Sequence, residues 1–109
     1  MNPFALLGFA ILLEVIGTSA LRASAGFSKL LPSLVVVLGY GGAFYLMSRA
    51  LTSLPLGLTY AIWSGVGTAL TALIGWFYFR DAFSPVALAG IALIVLGVAV
   101  LNLGSSAHG

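Results

Sequence analysis

The chain has 109 residues, 61% of them hydrophobic and 6% charged, with a formal net charge of +2 and no cysteine. A soluble domain carries about a quarter charged residues, so an ordinary soluble enzyme or binding module is excluded. The few scattered basic groups exclude a nucleic-acid surface, and the absence of thiols excludes a disulfide or thiolate site.

The first apolar segment, residues 4–21, reads FALLGFAILLEVIGTSAL and is interrupted by Glu14, Thr18 and Ser19. Ten helical residues separate Phe4 from Glu14, about 15 Å at 1.5 Å per residue, or half of a ~30 Å hydrocarbon core. A carboxylate at that depth is expensive unless it is protonated, paired or hydrated, and intramembrane acids mark ion pathways. The bland alternative is a neutral acid hydrogen-bonded between helices. Glu14 is the one acid in any apolar segment of the sequence. The segment lacks the basic start and small-residue cleavage site of a signal peptide, so it is expected to remain as a span.

The second segment, residues 33–51, follows Pro32, which a first helical turn tolerates. Arg49 lies near its end, where its head group can snorkel to the interface. The third, residues 56–79, follows Pro55 and ends on Trp76, Phe77, Tyr78 and Phe79, an aromatic belt for the membrane surface. The fourth, residues 85–103, opens with Ser84 as N-cap and Pro85 at the first helical position. Each segment is long enough to span, and the connections are too short to fold alone. The fold expected is therefore an all-α integral membrane protein of four transmembrane helices in one domain, 1–109. His108, in the polar tail, is expected to be solvated.

Arg22, Lys29 and Arg80 fall on one side of the membrane, and Arg49 with the terminal amine on the other. So weak a bias specifies orientation poorly. Two copies inserted in opposite senses would form an inverted repeat from separate chains, a symmetry used by alternating-access transporters. Four helices hardly enclose a polar pathway by themselves, which also argues for an oligomer. Gly90, Gly97 and Gly104 recur every seven residues and give the fourth helix a small-residue face, for a dimer interface or for packing within the chain.

On the first helix Leu7, Ala10, Ile11, Glu14, Gly17 and Thr18 share a face. Thr18 is also spaced to bond back to the carbonyl of residue 14. On the second helix Tyr40, Phe44 and Met47 share a face, and on the third Tyr60, Trp63, Ser64, Gly67 and Thr71 do so. An aromatic stripe alone is ordinary core or lipid contact. Around one carboxylate it supplies what a lipophilic cation needs: cation–π and dispersion contacts with one countercharge. Gly65 and Gly67 read either as packing positions or as a hinge, and Gly39, Gly41 and Gly42 as close packing or bending. No nucleophile–His–acid set, metal motif, P-loop or dinucleotide fingerprint is present, so neither an enzyme nor a bound cofactor is expected.

The sequence resembles the small multidrug resistance transporters, close to their quaternary-ammonium branch. The resemblance runs along essentially the whole chain. It is carried by Met1-Asn2-Pro3, Glu14-Val15-Ile16-Gly17-Thr18, Gly26-Phe27-Ser28-Lys29-Leu30 with Pro32-Ser33, Tyr40, Pro55 with Gly57, and above all Tyr60-Ala61-Ile62-Trp63-Ser64-Gly65-Val66-Gly67. It implies an antiparallel, dual-topology homodimer in a bacterial inner membrane that exports lipophilic cations in exchange for protons. Glu14 would bind proton or drug, and Trp63, Tyr40 and Tyr60 would line the site. The guanidinium-exporting relatives have a Trp shortly after the glutamate, where this chain has Gly17, and small polar groups where it has Gly42 and Phe44. Ala25, Arg49 and Arg80-Asp81 also depart from the common pattern, away from the site. A guanidinium or polyamine exporter and a non-transporting subunit of a larger membrane assembly stay open as alternatives.

Overall fold

A computed structural model of the chain describes residues 2–107, which leaves His108 outside the described residues. The chain forms four helices: α1 (Pro3–Ala23), α2 (Leu30–Ala50), α3 (Leu56–Phe77) and α4 (Pro85–Ala107). All four are long and apolar enough to cross a membrane. They fall into two compact units divided between Pro55 and Leu56, each a pair of helices consecutive in sequence.

Helix α1 starts where Asn2 accepts a hydrogen bond from the Phe4 amide through its side-chain oxygen (2.8 Å), with Pro3 at the first helical position. Its end is built around Ser24, which is fully buried. The Ser24 hydroxyl donates to the Leu21 carbonyl (2.7 Å) and accepts from the Phe27 amide (3.0 Å), and its carbonyl accepts from the amides of Ser28 and Lys29. Around this knot Ala25, Gly26 and Phe27 all take positive φ, +49°, +73° and +64°. Of the three, glycine alone does so without steric cost. The tight reversal lets α2 begin at Leu30, three residues ahead of the expected 33. Pro32 is accommodated because first-turn amides have no helical partner to lose. Ser33 ties the turn down by donating its hydroxyl to the Lys29 carbonyl (2.6 Å).

The first pair holds nearly all the apolar core. Leu6, Leu7, Ala10, Ile11 and Val15 of α1 are buried, as are Val36, Ala43, Met47 and Ala50 of α2. The spacing of three and four is that of one helix face. Where the helices pass closest, glycine meets glycine. A Cβ placed on Gly39 would lie 2.9 Å from the Leu13 carbonyl oxygen and 3.1 Å from the Gly17 Cα. No side chain fits between these backbones.

The second pair is looser. A Cβ on Gly65 would overlap the Val98 side chain of α4 and stand 3.5 Å from Ile94, so this glycine lets the two helices close. Helix α3 ends at Phe77, two residues before the expected 79. Arg80 turns the chain with φ +59°, and the Asp81 amide reaches back to the Gly75 carbonyl (2.8 Å). The Asp81 carboxylate lies 2.8 Å from where a Cβ on Gly75 would be, so a side chain there would push it aside. Ser84 caps α4, its hydroxyl accepting from the Ala87 amide (3.1 Å). That helix continues past the expected 103 to Ala107, because serine and alanine prolong a helix already nucleated by its apolar part.

Candidate functional site

In the first pair the packing places three polar side chains in a row. Glu14 is half-buried on α1, and Thr18 follows one turn later. The Thr18 hydroxyl donates to Glu14 Oε1 at 3.0 Å, so it bonds to the carboxylate and not, as the spacing alone allowed, to the carbonyl of residue 14. The same hydroxyl oxygen lies 2.7 Å from the Tyr40 hydroxyl of α2. A threonine hydroxyl has one proton and two lone pairs. With its proton given to Glu14, it takes the second bond as acceptor, and Tyr40 donates.

The reason Tyr40 reaches α1 is the glycine crossing. A Cβ on Gly17 would stand 3.4 to 3.5 Å from the tyrosine ring, so the ring lies against bare helix backbone. Gly39, one residue before Tyr40, brings the two backbones together at this level. The expected face of α1 is recovered: Leu7, Ala10, Ile11 and Gly17 are buried, with Glu14 and Thr18 at its edge. On α2 the face turns by about one residue. Gly39, Ala43 and Met47 form the contact row, and Phe44 is left 56% exposed. Phe44 flanks Tyr40 with ring centroids 6.5 Å apart. The contribution of Gly39 was not separable in the sequence from that of Gly41, which has open space around it, or of Gly42, which meets the tip of the Leu13 side chain.

In the second pair, Tyr60 and Trp63 stand one turn apart on α3 in an edge-to-face contact, centroids 5.5 Å apart and ring planes at 83°. Tyr60 is exposed, Trp63 half-buried and Ser64 exposed. Gly65 and Gly67 are buried, and the Gly67 carbonyl accepts from the Thr71 hydroxyl. Toward the end of α3, Trp76 and Phe77 stack on each other and, with Tyr78, are exposed, as an interfacial belt requires. On α4, a Cβ on Gly90, Gly97 or Gly104 would meet nothing within 4 Å.

Comparison with known proteins agrees along the length of the chain. The family model for Small Multidrug Resistance proteins matches residues 2–94. The quaternary ammonium compound-resistance protein QacF of Klebsiella aerogenes is 51% identical over 99% of this chain and 100% of its own length. QacE of Escherichia coli, of the same description, is 48% identical over 98% of this chain and 97% of its own. The multidrug transporter EmrE of Escherichia coli K12 is 44% identical over 94% of each. With four membrane-spanning helices and these relatives, the chain is a multi-pass protein of the bacterial inner membrane and belongs to the small multidrug resistance family.

Proposed function

We propose that the chain is a proton-coupled exporter of lipophilic quaternary cations that works as an antiparallel homodimer. The observation that carries this reading is the half-buried Glu14 inside a membrane span, held by Thr18 and linked through it to Tyr40, beside whose ring Phe44 stands. One carboxylate can neutralise either a proton or a cation, and that competition couples their opposite movements. Tyr60, Trp63 and Ser64 of α3 are proposed as further cation-binding residues, Trp63 through its ring face. Two copies bring two Glu14 residues. Exchange of two protons for one monovalent cation then moves one net charge, and for a divalent cation none.

The relatives named for quaternary ammonium resistance and multidrug transport support the substrate class. So does the chemistry of the site. Guanidinium loses water from several N–H donors on entry and needs convergent acceptors, because unmet buried donors are costly. Here one oxygen of Glu14 already accepts from Thr18. A quaternary cation has no N–H to satisfy, and burial of its substituents contributes ~25 cal/mol per Å².

The open glycine face of α4, with Gly90 and Gly97, is the proposed dimer contact. Gly65 and Gly67 are the proposed hinge of α3. Motion at Gly65 would have to release its contact with Val98.

The test is a set of currents from the purified protein in liposomes. Tetraphenylphosphonium should evoke a proton-coupled current and guanidinium little or none. Robust guanidinium current without a phosphonium response would move the chain to the guanidinium exporters. No flux of either would favour a non-transporting subunit.

A further inference from the structure

We infer that Thr18 is a positioning residue that makes the hydrogen-bond direction of Tyr40 depend on whether Glu14 carries a proton. The inference rests on the transport reading above and adds a device to the same site. Its basis is a chain of three side chains: Glu14 Oε1 to Thr18 Oγ1 at 3.0 Å, and Thr18 Oγ1 to the Tyr40 hydroxyl at 2.7 Å.

Proton counting sets the direction. A carboxylate only accepts, so with Glu14 charged the one Thr18 proton goes to Glu14, and Tyr40 must donate to Thr18. The phenolic proton is then turned toward α1, and the phenolic oxygen keeps its remaining lone pair for a partner on its other side. A protonated Glu14 is itself a donor. With that proton on Oε1, the oxygen bonded to Thr18, Thr18 accepts from Glu14 and donates to Tyr40, and the phenolic proton is released to find another acceptor. No bond between heavy atoms forms or breaks, and no proton leaves its own residue. The hydroxyl rotors alone reverse. Tyr40 thereby offers an acceptor in the cation-ready state and a donor in the proton-loaded state. It does so without shifting its ring, which the Gly17 backbone holds in place.

The remaining ionisable side chains of this helix pair are Arg22, Lys29, Tyr45 and Arg49, and all are exposed. Tyr40 meets Thr18 directly, which leaves the threonine hydroxyl as the link from the carboxylate to α2.

The experiment is carbon-13 NMR of the full chain in lipid, titrated with acid in the absence of any transported cation. Glu14 is the one glutamate in the sequence, so a labelled glutamate carboxyl reports it alone. Ring-labelled tyrosine reports Tyr40, identified by the signal missing from Tyr40→Phe. The Tyr40 phenolic carbon should move with the same midpoint as the Glu14 carboxyl carbon in the wild type. Thr18→Ser, which keeps the hydroxyl, should preserve this tracking. Thr18→Val, which keeps the shape and loses the hydroxyl, should leave Glu14 titrating while the Tyr40 signal stays flat. A flat Tyr40 signal in the wild type overturns the inference without any variant. Undiminished tracking in Thr18→Val, or lost tracking in Thr18→Ser, overturns it as well. The titration needs no transport, so absent currents in liposomes would sink the functional reading and leave this result standing.

Discussion

The two helix pairs differ in what they leave unfinished. In α1 and α2 the contact is made backbone to backbone at Gly17 and Gly39, and the polar groups at that level satisfy one another. Among the described residues, every buried apolar side chain but Leu58 belongs to this pair. In α3 and α4 the contact is lighter, and no described side chain of α4 is buried at all. Gly17, Gly39 and Gly42 of α1 and α2 are met by the neighbouring helix, whereas Gly90, Gly97 and Gly104 of α4 face open space. Small residues thus serve opposite ends in the two halves. In the first they seat the Tyr40 ring against α1, and on α4 they leave one stripe of the helix surface open.

The largest effect that would break this comparison is the loss of the charge itself. Glu14→Gln should abolish cation binding and proton-coupled export, while the helix pair stays intact because the amide oxygen can still accept from Thr18. Drug exchange that persisted in this variant and still followed pH would end the proposed mechanism. Next comes the crossing. Gly39→Ala places a methyl group 2.9 Å from the Leu13 carbonyl oxygen, where backbone must move. Overpacking of this kind costs about 1–3 kcal/mol, which thermal unfolding in mild detergent can detect. A stability equal to wild type would show that the helices slide apart freely.

Trp63→Ala tests the other half. Stacking of a cation on a desolvated aromatic is worth up to ~2 kcal/mol, roughly thirtyfold in affinity for tetraphenylphosphonium. Unchanged affinity in a binding titration would place Trp63 in a packing role. Gly97→Leu should weaken self-association by about tenfold, ~1.4 kcal/mol, read by sedimentation in detergent, with little change inside the helix pair. An undisturbed dimer would remove α4 from the interface. The smallest effect is expected from Gly41→Ala, whose added methyl meets nothing within 4 Å. It should change stability by less than about 0.5 kcal/mol and so serves as the control for Gly39.

Much of this was legible in one dimension. Four apolar runs, a single acid at mid-depth and prolines at the helix entrances are properties of the sequence itself. So is the α1 face, because a fixed period of 3.6 residues decides which side chains stand together. What was not legible depends on the second helix. Thr18 can reach the carbonyl or the carboxylate of residue 14 at the same spacing, and the position of Tyr40 accompanies the second choice. Gly39, Gly41 and Gly42 look alike until a neighbour sets the rotation of α2, and the same rotation leaves Phe44 exposed where a shared face with Met47 was expected. The end of α3 was misplaced because an aromatic run carries no sign of the positive φ at Arg80.

The tight reversal at residues 24–29 has a consequence for biogenesis. It joins α1 to α2 through a short local loop, so the hydroxyl chain from Glu14 to Tyr40 requires nothing beyond the first unit. At a synthesis rate of about 5–20 residues per second, the ribosome needs roughly 3–10 s more to produce residues 56–109. Once the first hairpin has inserted, its costly acid can take a hydrogen-bond donor from its own helix without waiting for the second. The carboxylate is therefore partnered within the first hairpin, whatever the timing of the second.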